Sequence, residues 1–286
     1  MANIENVSDT ARWVAVYRAM ETARPDAIFR DPYADRLAGE QGRKIMAEMK
    51  SGRQTAWAMI VRTAVMDELI MSRVTQGGVD TVLNLAAGLD ARAWRLPLPA
   101  TLRWVDVDLP PMTEYKATQM HGERPVCRYE AIGADLTDAR VRDALFSQIG
   151  GASRKMLVIT EGLLIYLSPD EVQSLARAIH SVRSARWWIT DVASPMLLEW
   201  MSKSWGKSVA KGNAPFKFGP ADSVAFFGDL GWREVEYRSM MDEARRLGRE
   251  MRMMGVWRFM MRFMPAKRRA VMKRFSGTVL LERADA

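Results

Sequence analysis

The chain has 286 residues, 48% hydrophobic and 27% charged, which suffices to close a core without disulfides or metals and makes one domain with an appendage the expected plan. Lys and Arg total 42 against 34 Asp and Glu, a net +8, yet residues 244–274 hold eleven basic residues and one acidic, so that stretch carries +10 and everything else −2. A generic nucleic-acid surface is thereby disfavoured, while a single cysteine, Cys127, and two histidines, His121 and His180, exclude an internal disulfide, paired-cysteine zinc sites and a His-rich metal centre.

The N-terminal MANIENVSDTARW has no apolar stretch flanked by basic residues, so no secretory signal is expected. The apolar stretch MMGVWRFMMRFM stops at 12 residues and contains two arginines, too short to span a bilayer. A cytoplasmic location is the default expectation. Residues 8–76 read as helical, with turns at Asp26, Asp31 and Pro32 and apolar residues at helical spacing over 54–74. Residues 1–76 are therefore expected to form a helical cap on a second region, 77–286.

After Gly77-Gly78 the pattern changes to short apolar runs at 81–86, 102–107, 127–132, 156–160 and 187–192, separated by helical stretches. Two further strand candidates follow at 232–238 and 278–282. Such alternation predicts an α/β fold, a doubly wound and mostly parallel sheet of seven strands with helices on both faces. A basic, Met-rich helical insertion at about 241–275 separates the last two strands. Within it Trp257, Met260, Met261 and Met264 fall at i, i+3, i+4 and i+7, Arg258 and Arg262 share a neighbouring face, and Pro265 should end the helix. Packing on its own domain is the plainer expectation for that helix; contact with an acceptor, an anionic membrane or a protein partner is the other.

The first strand runs into Ala86-Ala87-Gly88-Leu89-Asp90, a tight turn and helix start where a doubly wound sheet places its ligand. A dinucleotide site wants G-x-G-x-x-G and a bare helix N-terminus, whereas here only Gly88 remains and Asp90 would repel a phosphate. A phosphate-free nucleoside carrying positive charge fits better, and S-adenosylmethionine meets that description. Asp90 could equally be a helix N-cap. The second strand ends in Asp106-Val107-Asp108, where a carboxylate can accept both ribose hydroxyls. Alternation puts the two aspartates on one face, and Asp108, nearer the open end, is the preferred one.

Together NLAAGLDARAWRL, WVDVDLP, the Asp135-Leu136 pair and TEGLLIYL, preceded by RDPYAD and VRTAVMDE, resemble the S-adenosylmethionine-dependent methyltransferase family related to leucine carboxyl methyltransferase. The nearer resemblance is to a bacterial branch that includes enzymes assigned as polyketide O-methyltransferases. It covers about 10–231 and implies a class I methyltransferase, Rossmann-like fold. It also implies that Arg62 holds the methionyl carboxylate, and Arg62 does project from a helix face bearing Met59, Val65, Met66 and Leu69, where a cation needs an anion. By the same resemblance Gly88 admits the methionyl part, Asp108 binds ribose, Asp135 and the backbone of Leu136 bind the adenine edge, and Glu161 lies in the cofactor pocket. Asn84 and Ala86 stand where the motif commonly has an acidic residue and a second glycine; Ala86 is small enough to preserve the turn.

Tyr166 could face the substrate, and Arg18 and Tyr33 belong to the region that, by resemblance, covers the active site. These three are the only catalytic candidates. With two histidines and no evident base, the expected reaction is O-methylation of a carboxylate or acidic hydroxyl on a small, fairly hydrophobic, polyketide-like metabolite. A protein carboxyl methyltransferase and a non-catalytic cofactor-binding protein are the alternatives. A nucleic-acid methyltransferase is disfavoured, because Glu161-Gly162-Leu163-Leu164 replaces the Asp/Asn-Pro-Pro-aromatic motif of the amino-methylating enzymes.

Overall fold

In a computed structural model, residues 7–48, 52–211, 215–251, 254–255 and 263–285 are described. Three helices come first, α1 (Val7–Thr22), α2 (Ala34–Glu48) and α3 (Gly52–Gln76). Then β1 (Thr81–Leu85), α4 (Arg92–Arg95), β2 (Arg103–Asp108), α5 (Pro110–Gln119), β3 (Arg128–Gly133), α6 (Ala139–Gly151) and β4 (Met156–Thr160) follow in alternation. A short 3₁₀ turn (Leu164–Tyr166) leads to α7 (Pro169–Ser181), β5 (Ala185–Ala193), α8 (Pro195–Lys211), α9 (Ser223–Gly228) and β6 (Trp232–Ser239). The chain closes with α10 (Met240–Arg246), α11 (Ala266–Lys273) and β7 (Ser276–Arg283).

The seven strands form one sheet in the order β3-β2-β1-β4-β5-β7-β6, parallel except for antiparallel β7. Every expected strand is present, with ends shifted by up to two residues. β1 has β2 on one side and β4 on the other, so the crossovers leave in opposite directions there and a crevice opens beyond their carboxyl ends.

Strand alternation divides the core. Val82, Trp104, Leu157, Ile189 and Leu280 face α3, meeting Val61, Val65 and Leu69. Their neighbours Leu83, Val105, Val158 and Trp188 face the other way, against Phe146 and Ile149 of α6 and Val172, Leu175 and Ile179 of α7. Ala15 and Val16 of α1 and Leu37 and Ala38 of α2 belong to the α3-side core, so the N-terminal helices share apolar packing with the sheet.

The basic stretch between β6 and β7 differs from a solvated cationic face. Arg246 pairs with Glu68 and Glu243, Arg249 with Glu21 and Asp26, and Arg274 with Glu234. Trp257, Arg258, Met260, Met261 and Arg262 of the expected amphipathic helix lie outside the described residues; Met264 lies in a bend and Pro265 directly precedes α11. Among the described residues no helix is long and apolar enough to cross a membrane.

Candidate functional site

The turn after β1 carries two left-handed residues, Ala86 (φ 50°) and Gly88 (φ 51°), and Ala86 is the only non-glycine with positive φ among the described residues. An L-residue with a Cβ costs about 1–2 kcal/mol there. The turn brings the Gly88 N–H to the Asp108 Oδ2, to which it donates at 2.6 Å, while the Leu109 N–H donates to Oδ1 at 2.7 Å. Each oxygen keeps a further lone pair for a ligand hydroxyl. Burial pushes the Asp108 carboxyl above its ordinary value. Asp106 is closed off: 2% exposed, it accepts from Asn84 Nδ2, Trp104 Nε1, Lys116 Nζ and the Tyr129 hydroxyl. Of the two aspartates left open by the sequence, Asp108 is the one at the crevice.

Beside this turn lies a layer of paired charges joining α3, α4, β4 and β5. Arg62 donates from Nε to Glu161 Oε1 at 3.0 Å and from Nη1 to Asp191 Oδ2 at 3.2 Å. Arg92 donates to Asp67, Asp90 and Glu161 at 2.6–2.7 Å, and Arg95 holds Asp67 from the other side. Asp90 also accepts from the Arg92 N–H at 2.8 Å, the local turn a helix start requires, and from Asn84. Burial opposes ionisation of Asp90 and Glu161, but the arginines outweigh it and hold both carboxyls below their ordinary values. Buried carboxylates and guanidiniums persist because each is matched and hydrogen-bonded.

The other predicted residues fall around this layer. Asp135 is exposed in the loop after β3; its Oδ1 accepts from the Thr137 N–H and hydroxyl, and those bonds lower its pKa. Leu136 beside it leans on the α6/α7-side core. Tyr166, in the 3₁₀ turn after Glu161, has its ring centroid 5.7 Å from that of Phe216 and packs with Trp13, Tyr17 and Met59. Arg18 is buried, donating to Asp31 at 2.8 Å and to the Leu89 carbonyl at 2.5 Å, so it fastens α1 onto the glycine turn. Tyr33 packs against the α3-side core, with its N–H on Asp31. Arg18 and Tyr33 thus serve contacts within the cover.

Sequence reasoning missed Asp191, Asp67 and Arg92. The signal for Asp191 was available: a lone carboxylate within an otherwise apolar and hydroxylic strand, at the carboxyl end, on the face shared by Ile189. Arg92 and Asp67 had no local signal, because their partners come from three different elements.

The sequence model of leucine carboxyl methyltransferase matches residues 11–180. The chain belongs to the leucine carboxyl methyltransferase family. This is a family of S-adenosylmethionine-dependent methyltransferases, and S-adenosylmethionine is the cofactor. A relative from Frankia alni, provisionally named an S-adenosyl-L-methionine-dependent methyltransferase, is 32% identical over 84% of this chain and 87% of its own. One of the same description from Streptomyces coelicolor is 31% identical over 85% and 88%. The fold is that of a crystal structure from Thermobifida fusca, which superposes with a TM-score of 0.58 at 16% identity over 93% of this chain and 97% of that one.

The residues present fit the cofactor. A Cβ on Gly88 would come 3.1 Å from the Ala11 Cβ, and one on Gly162 3.3 Å from Arg62 Nη1, so both turns are cradles that a side chain would fill. An uncapped carboxylate edge at Asp108 suits a ribose diol, and Arg62 among acids suits a zwitterionic amino acid group. Acidic groups around that layer also suit a cation.

Proposed function

We propose that the protein O-methylates a carboxylate or acidic hydroxyl of a small, fairly hydrophobic, polyketide-like metabolite. S-adenosylmethionine supplies a methyl group on a sulfonium whose departure leaves a neutral thioether. Little covalent chemistry then falls to the protein, which aligns the reactants and excludes water. Arg62 would hold the methionyl carboxylate, Asp108 the ribose, and Asp135 with the Leu136 backbone the adenine edge.

The observation that carries this reading is the state of the titratable groups. Glu161, Asp90 and Asp191 are engaged by arginines, His180 packs against Trp232 away from the turn, and His121 follows α5. Burial keeps Tyr166 protonated to higher pH than an ordinary tyrosine. A site so arranged has no free base near the crevice among the described residues, which suits an acceptor that is already ionised at neutral pH. The aromatic wall of Trp13, Tyr17, Tyr166 and Phe216 supports an apolar acceptor body.

A second reading, methylation of a carboxylate on a protein, is favoured by the family description itself. The test is transfer of labelled methyl to a panel of aromatic and aliphatic acids, phenols and peptides with free C-termini. Label released as methanol by mild alkali marks an ester. Ester formation on small acids supports the first reading, labelling of peptides alone supports the second, and cofactor binding with no transfer to any member favours the non-catalytic alternative.

A further inference from the structure

Asp191 holds the guanidinium that the site needs, and nothing in the family resemblance assigns it. It stands three positions from the end of β5's last residue pairings, beside Thr278 of antiparallel β7. Its two oxygens bind different elements: Oδ1 accepts from the Gly162 N–H at 2.6 Å and Oδ2 from Arg62 Nη1 at 3.2 Å. Gly162 has φ +65°, a conformation a side chain resists, and it presses on the guanidinium so closely that its Cβ would meet Nη1 at 3.3 Å. Glu161 takes the Nε edge of the same guanidinium. A carboxylate on each of two edges fixes a planar fork in rotation as well as position. The Nη2 group of Arg62 bonds no described residue, so it is the part left to meet an anion.

We propose that Asp191 is a positioning residue for recognition of the cofactor's amino acid carboxylate: by holding both Arg62 and the Gly162 turn, it aims Arg62 Nη2 at that anion. Its effect therefore falls on ligands that carry the methionyl carboxylate and spares the nucleoside. The proposal rests on the assignment of Arg62 to that carboxylate, and two ligands separate the failure of one from the failure of the other.

The test is calorimetric titration of wild type, Asp191→Asn and Asp191→Glu with S-adenosylhomocysteine, which has the amino acid group, and with 5′-methylthioadenosine, which lacks it. Loss of S-adenosylhomocysteine affinity by at least tenfold, with 5′-methylthioadenosine affinity held within twofold of wild type, is the expected result for both variants, and the retained nucleoside binding reports a folded protein. Unchanged S-adenosylhomocysteine affinity in both variants overturns the proposal, and so does an equal loss of both ligands, which would mark Asp191 as a support of the fold alone. Arg62→Ala, titrated alongside, is expected to show the same selective loss. If it binds both ligands as wild type does, the assignment of Arg62 falls, and the role of Asp191 falls with it.

Discussion

Arg249 and Glu21, 228 positions apart, form a buried ion pair, Nη2 to Oε1 at 2.7 Å, that ties the connection between β6 and β7 to α1. Arg249 also donates to the Asp26 carbonyl and carboxylate, closing the end of the first helical hairpin. The elaboration and the N-terminal cover are thus joined by a contact that excludes water. Arg249→Ala leaves Glu21, fully buried, with an uncompensated charge, and is expected to cost about 3–5 kcal/mol. Urea unfolding checks it; replacing both residues by apolar side chains should cost less than the single change, and a single-mutant loss under 1 kcal/mol would contradict the pairing.

The two aspartates at the end of β2 should separate cleanly. Asp108→Asn should weaken S-adenosylhomocysteine binding at least tenfold, about 1.4 kcal/mol, with stability little changed. Asp106→Asn disrupts four buried hydrogen bonds and the Lys116 ion pair at 2.5 Å, so its effect should appear first in the unfolding midpoint. Equal binding losses with no stability difference would contradict the division.

Ala86→Gly should relieve the left-handed backbone at φ 50°. The strain of about 1–2 kcal/mol is partly offset by the greater freedom of glycine in the unfolded chain, so a gain of up to about 1 kcal/mol is expected. Ala86→Val should destabilise instead. A destabilising glycine in urea unfolding would refute the strain.

Acid should loosen the charged layer. Glu161 has its carboxyl lowered in the folded protein, burial being outweighed by Arg92 and Arg62. A depressed folded value contributes stability that is fully present above the ordinary value of 4.5 and is lost as pH falls through the folded value. Asp108 has the opposite sign, raised by burial, so its contribution moves the other way and offsets part of the slope. Glu161→Gln should therefore flatten the fall in stability below about pH 4.5, measured by denaturant unfolding across pH. An unchanged slope would contradict the role given to its arginine partners.

Strand periodicity and the Gly77-Gly78 break made the seven strands, their alternation with helices and the site of the elaboration legible before any coordinates, because each is a local property of the chain. The choice between Asp106 and Asp108 was not legible: it depends on Trp104, Lys116 and Tyr129 converging on one of them, and those come from two strands and a helix. The same reason hid Asp191 and Arg92, whose partners are assembled by the crossovers. The charge count isolated residues 244–274, yet its chemistry is partly internal, since Arg246, Arg249 and Arg274 meet acids drawn from α1, α3, α10 and β6. Net charge by segment states where cations are and leaves their partners to the fold.

The account stands most directly on one calorimetric series: S-adenosylmethionine titrated into wild type, Arg62→Ala and Asp108→Ala. Binding by wild type, weakened at least tenfold in each variant while both keep the wild-type unfolding midpoint within a few degrees, is the predicted result. Wild-type affinity in both variants would contradict the site.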